Sequence, residues 1–249
     1  MMHKSKAKIF QNFKNRKFVV MLLLKIIKMK KSGFIPLEYK KPSEELLIQY
    51  TSDFYRKMKS RRSVRHFSDK VVPDEVIQNI IMTAASAPSG AHKQPWTFCV
   101  IKDPDIKAKI RVAAEKEEYE NYHGRMSDEW LKDLEKFETD WKKEFLTTAP
   151  CLIVIFRKAY DLEDDGSKSK NYYVSESVGI AAGFLIAAIH MAGLVTLTHT
   201  PSPMNFLQEL LGRPENEKPF LLLPVGFPAD GVFVPDINRK KINEVLVRY

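Results

Sequence analysis

Only two cysteines, Cys99 and Cys151, occur in the 249 residues, which excludes a disulfide scaffold and a cysteine-rich zinc centre. Each lies in an apolar run and reads as a buried core thiol. Ten glycines and fourteen prolines are too few for a collagen-like or low-complexity chain. No internal repeat is visible. No GxGxxG follows a strand and no GxxxxGK[ST] occurs, so Rossmann dinucleotide and P-loop readings have no support. Acidic residues are missing from residues 1–33, a segment that holds ten Lys and Arg. Its apolar run, Phe18 to Leu24, is far shorter than the about 20 residues a membrane span needs, and no small-residue cleavage site follows it.

What is present is an ordinary globular composition, 44% apolar and 29% charged. The net charge of +9 belongs to the first 33 residues, because the remainder holds 30 basic and 31 acidic side chains. The body of the protein is therefore no nucleic-acid binder, and any pull toward anionic lipid resides in the tail. The tail reads as a surface-associated segment, a shortened anchor or plain disorder, so membrane association through it stands beside a cytoplasmic location. Pro36 and Pro42 mark a linker, which divides the chain into a tail, 1–42, and a domain, 43–249.

Ser43 with Glu44 and Glu45 opens a helix to about Met58. Val76, Ile77, Ile80, Ile81 and Ala84 give a second amphipathic helix over 74–86. Trp96–Ile101, Cys151–Phe156, Leu194–Thr198 and Leu221–Val225 read as strands. Helices are expected over 104–120, 127–146, 175–191 and 206–211, and a solvated loop over 161–170. The 175–191 helix is small and apolar nearly all round, hence buried. Strands and helices without regular βαβ alternation make an α+β protein.

Four groups carry chemistry. Arg61, Arg62, Ser63 and Arg65 put three guanidiniums and a hydroxyl within five residues, suited to a phosphate. A solvated basic turn is the alternative. Arg239-Lys240-Lys241 is free to converge on the same anion. Pro88-Ser89-Gly90-Ala91-His92 is a small-residue loop whose amides admit a close ligand, or a simple helix stop. Thr196, Thr198 and Thr200 share one face if their strand runs that far, with His199 turned away; β-branched strand filler is the alternative. Glu118 and Tyr122 share a helix face, with Lys143 further on; by themselves these are ordinary surface residues. No metal-ligand set is evident.

The stretch Arg61-Arg62-Ser63-Val64-Arg65, the loop Pro88 to Trp96, and the later AGLVTLTHTP, LLGRPENEKP and LLPVGFP resemble the nitroreductase-like flavoproteins over roughly residues 43–249. EKEEYENYHGRM with WLKDLEKFETDWKKEFLTTAP resembles the active-site lid of the iodotyrosine deiodinases within that group. The resemblance implies an FMN-dependent fold with a central mixed sheet flanked by helices, in an intertwined homodimer. It implies that Arg61, Arg62, Ser63, Val64, Arg65 and Arg239 hold FMN, and that Ser89 closes the site from the other subunit. Thr198, His199 and Thr200 would line the flavin ring, with Thr200 or Thr198 near N5 as the catalytic hydroxyl. His199 is bulkier than the small polar residue expected there. Glu118, Tyr122 and Lys143 would bind the amino-acid handle of a halotyrosine, and the Ala91 amide its phenolate. The implied reaction is reductive dehalogenation, with NADPH as ultimate donor, delivered if necessary by a separate reductase. A general nitroreductase or quinone reductase is the alternative.

Overall fold

The computed structural model describes residues 33–249. The basic segment and its apolar run therefore lie outside the described residues. By compactness the chain divides between Thr51 and Ser52. On the first side, residues 34–43 carry no regular structure and lead into α1 (Glu44–Ser60). The Ser43 hydroxyl accepts from the Leu46 amide at 3.4 Å, the expected cap. Glu44 and Glu45 at one end and Lys57 and Lys59 at the other complement the helix dipole.

On the second side, four strands form one sheet in the order β1 (Trp96–Ile101), β2 (Cys151–Lys158), β6 (Glu217–Gly226), β5 (Val195–Thr196). Their ladders are antiparallel, and the parallel component of the mixed sheet is a single bridge from Ser63 to Thr196. Strand β2 is buried on both faces, as its unbroken CLIVIF run dictates. Cys151, Ile153 and Ile155 enter one core with α2 (Asp74–Ala85) and α6 (Val174–Met191). Leu152, Val154 and Phe156 enter a second core with Ile110 and Ala114 of α3 (Pro104–Glu120), Phe145 and Leu146 of α5 (Phe145–Thr148), and Leu207 of α7 (Asn205–Leu210). Period-2 alternation thus sorts one strand's side chains into two cores on opposite faces of the sheet.

Several expectations are corrected. The helix anticipated over 127–146 breaks: α4 runs Asp128–Glu135, Glu138 adopts φ +48°, and α5 resumes at Phe145. No residue of α4 is buried, so no packed face sustains it. The Asp140 carboxylate accepts from the Lys142 amide at 2.8 Å, a turn that competes with helix. Residues 161–170 are not all loop, since β3 (Tyr160–Leu162) and β4 (Lys168–Lys170) form a polar hairpin without an apolar signal. The strand expected over 194–198 stops at Thr196, and only His199 bridges β6 again, at Leu222. Cys151 is buried, its thiol pushed up to about 11 by burial, whereas Cys99 is half-buried. Helix α6 is not buried all round: Val178, Ala181 and Leu185 face the core, while Ile180 and Phe184 are exposed. Among the described residues it is the one helix long and apolar enough to span a membrane, and it packs against α2 and β2 as a core helix.

Candidate active site

Two clusters of charge flank one another at the sheet edge. The first is built on the connector after α1. The Val64 amide donates to the Thr196 carbonyl at 3.2 Å, and the buried Val64 side chain pins the segment to β5. Arg61, Arg62 and Arg65 are left half-buried around it, with Ser63 exposed. Arg239 returns from the far end of the chain, donating to the carbonyls of Lys59 and Arg61, each at 2.8 Å. Arg62 donates to the Pro235 carbonyl. These groups line a cavity of about 960 Å³ together with Lys240 and Lys241. Burial, then the positive charges of Arg239 and Arg62, push the Arg61 pKa down. Half-buried guanidiniums facing one another across a cavity are a poor arrangement unless an anion joins them. Arg239, Lys240 and Lys241 thus line one cavity with Arg61, Arg62 and Arg65.

The second cluster is built on the end of α3. Glu118 lies in its last turn, and the helix widens into a π turn over Asn121–Arg125 that carries Tyr122. The chain then crosses α4 and returns with Lys143. Lys143 Nζ stands 3.4 Å from Glu118 Oε2 and 5.3 Å from the Tyr122 ring centroid. Glu118 and Lys143 are only 7% and 4% exposed, so the surface reading of these residues fails. Burial raises the Glu118 pKa against the pull of Lys143, and burial lowers that of Lys143 against the pull of Glu118. Desolvation thus acts against the charged form of both partners, and the Lys143 ammonium also donates to the Asp140 carbonyl. Burial likewise raises the Tyr122 phenol, whose hydroxyl donates to the Thr139 carbonyl at 3.2 Å.

The clusters meet at Arg65. Its guanidinium lies 5.9 Å from the Phe137 ring of the crossing segment and close enough to Tyr122 to favour the ionised form of that phenol, against the larger effect of burial. His199 is buried with the positive charges of Lys143 and Arg65 nearby, and burial drives its pKa down to about 3. Its ring stacks edge-on to Phe145 at 5.4 Å, and Nε2 has no partner among the described residues. His199 is thus a neutral core imidazole. The three threonines do not share a face: Thr196 is buried, its hydroxyl donating to the Leu197 carbonyl, while Thr198 and Thr200 are exposed. The early end of β5 breaks the alternation.

Ser89 and Ala91 line neither the arginine cavity nor the adjoining cavity of about 650 Å³ beside Phe137. Their loop packs instead near the start of α6. The Gly90 amide donates to the Ser177 hydroxyl at 3.3 Å, and a Cβ on Gly90 would meet the Tyr172 carbonyl at 2.9 Å. Ala91, His92 and Gln94 all take positive φ. The amides of Gly90, His92, Lys93 and Gln94 are taken up within the protein. Sequence reasoning missed Glu115 and Thr139, which brace the second cluster, and Phe137, which packs against Arg65 of the first. Only Glu115 carried a signal, its i,i+4 spacing from Arg111.

Residues 58–227 match the nitroreductase family. An iodotyrosine deiodinase from Haliscomenobacter hydrossis is 63% identical over 88% of this chain and 99% of its own. Human iodotyrosine deiodinase 1 is 48% identical over 86% of this chain and 74% of its own. A crystal structure of oxidised iodotyrosine deiodinase bound to FMN and 3-iodo-L-tyrosine superposes with a TM-score of 0.66 at 31% identity, covering 79% of this chain and 98% of that one. The chain therefore belongs to the nitroreductase family, within its iodotyrosine deiodinase branch.

Proposed function

We propose that this chain catalyses FMN-dependent reductive dehalogenation of halotyrosines, with 3-iodotyrosine, 3,5-diiodotyrosine and bromo- or chlorotyrosine as substrates. The observation that carries the reading is the buried Glu118–Lys143 pair, 3.4 Å apart, beside Tyr122 and Arg65. A free amino acid brings one ammonium and one carboxylate. Glu118 receives the first, and Lys143 with Tyr122 receives the second. Four charges in alternation offset the desolvation that burial imposes on two, so the zwitterionic handle of the substrate suits this pair.

FMN suits the first cluster on the same ground: a cationic cavity with mutually repelling guanidiniums fits a phosphate. Arg61, Arg62, Ser63, Arg65 and Arg239 hold its phosphate, ribityl chain and ring edge, while Val64 and His199 fix the two segments that carry the contacts. Thr198 and Thr200 are the exposed hydroxyls for the ring. Ser89 and Ala91 reach the site from the partner subunit of a homodimer, which accounts for their separation from the arginines within one chain. The flavin supplies two electrons, and the net change is carbon–iodine cleavage with uptake of two electrons and one proton, giving tyrosine and iodide. The Ala91 amide donates to the phenolate, a form the ortho halogen favours by lowering the phenol pKa. Closing the segment 121–144 over the substrate excludes water.

NADPH is the ultimate donor, delivered through a separate reductase, because the chain carries no pyridine-nucleotide fingerprint. The catalytic domain comprises residues 43–249, and the basic charge of the tail, 1–42, suits contact with an anionic membrane surface, a cytoplasmic location being the alternative. The test is iodide release from 3-iodotyrosine by the FMN-loaded chain under dithionite. Stoichiometric tyrosine and iodide support the reading. Nitroarene reduction without any iodide release would mean a general nitroreductase instead.

A further inference from the structure

Lys143 belongs to an irregular segment, yet its main chain is held as firmly as a helical residue. Its amide donates to Glu115 Oε1 at 2.7 Å, and its carbonyl accepts from the Leu146 amide at 3.0 Å, in the first turn of α5. Glu115 Oε1 also accepts from Arg111 Nε at 2.8 Å, and Arg111 Nη1 donates onward to the Thr147 hydroxyl at 3.0 Å. One carboxylate oxygen thus joins α3, the point where the lid returns, and α5. It lies one turn before Glu118 on the same helix, so the element that presents the ammonium receptor also fixes the carboxylate receptor. We infer that Glu115 is a positioning residue for substrate recognition, clamping the Lys143 backbone so that its ammonium is delivered to the amino-acid handle.

The inference rests on the proposed function and deepens it. A hydrogen bond to a charged acceptor is strong and directional, and this one is the bond that ties the Lys143 amide to α3. Loss of the clamp frees the 136–144 segment to shift, and a displacement of about an ångström is enough to spoil a paired charge contact. Glu115 is predicted to govern affinity for the zwitterionic handle and not the reactivity of the ring.

The experiment titrates 3-iodotyrosine and 2-iodophenol, which lacks the handle, against flavin fluorescence of the full FMN-loaded chain. Glu115→Ala is expected to raise the iodotyrosine Kd about tenfold, with iodophenol affinity and FMN content unchanged. Glu115→Gln, which keeps an acceptor for the Lys143 amide, restores iodotyrosine affinity to within about twofold. Should the alanine variant fail to fold, Arg111→Met serves in its place, removing one arm of the clamp and shifting the iodotyrosine Kd the same way by about threefold. Unchanged iodotyrosine affinity in the variant that folds overturns the assignment, as does equal weakening of both ligands. If the native chain binds iodotyrosine no better than iodophenol, the functional reading itself falls, and the assignment with it.

Discussion

Lys143 Nζ stands 3.4 Å from Glu118 Oε2, yet burial moves each group's pKa toward its neutral form. An ion pair that stabilised the fold would show the opposite shifts. Under the proposed function, the ammonium and carboxylate of a free amino acid are the charges that complete this pair.

This relationship has a consequence for stability. The Glu118 pKa is raised, so its contribution is present at low pH and is lost as pH rises through the raised value. The Lys143 pKa is lowered, so its contribution is present at high pH and is lost as pH falls through the lowered value. Between those values both are charged and the pair contributes least to stability. The double variant Glu118→Gln, Lys143→Met is expected to exceed the native chain in unfolding free energy by about 1–4 kcal/mol at neutral pH, with a smaller gap once pH falls below the raised Glu118 value. Thermal denaturation without substrate measures it, and a less stable double variant would contradict the account.

His199 makes a second pH prediction. Its folded pKa is driven to about 3 by burial, against 6.5 when unfolded. A depressed value means stability present above the unfolded pKa and lost as pH falls. The native chain should lose stability relative to His199→Gln between about pH 6.5 and 4. Parallel melting curves over that range would place a partner on the imidazole.

Gly90 sits where a Cβ would meet the Tyr172 carbonyl and the Tyr173 ring, each at 2.9 Å. Gly90→Ala must displace the Ser89–Gln94 loop, because a backbone carbonyl does not yield cheaply. A loss of about 1–3 kcal/mol is expected, with reduced FMN retention. Melting temperature and the visible spectrum read both.

Composition of the site from two chains is tested by mixing. Ser89→Tyr and Arg61→Met, each inactive alone, are co-expressed with different tags and the hybrid dimer is isolated. If Ser89 and Arg61 meet across the dimer, one hybrid site carries both changes and the other carries neither, so about half the native activity per dimer returns. An inactive hybrid would place both residues in one chain's site.

Much of this was legible in the sequence because it rests on strong local signals. The CLIVIF run of β2, the periodicity of α2 and the Pro104 start of α3 each named an element whose packing agrees with its propensity. Arg61, Arg62 and Arg65 were visible as a dense charge group. The lid was less legible, because its shape comes from long-range contacts that override helical pattern: Tyr122 to Thr139, Phe137 to Arg65, Glu115 to Lys143. The burial of Glu118 and Lys143 was unreadable from spacing, since nothing local distinguishes a buried ion pair from an exposed one. The short β5 defeated the threonine alternation for the same reason: its end is set by the pairing with β6.

The most direct test of the central claim compares two reactions of one variant. Glu118→Gln keeps the size of the side chain and removes its charge, so the FMN-loaded variant under dithionite should lose iodide release from 3-iodotyrosine by about 100-fold or more in kcat/KM while reducing a nitroarene at nearly the native rate. Equal retention of both activities would show that the lid does not read the amino-acid handle.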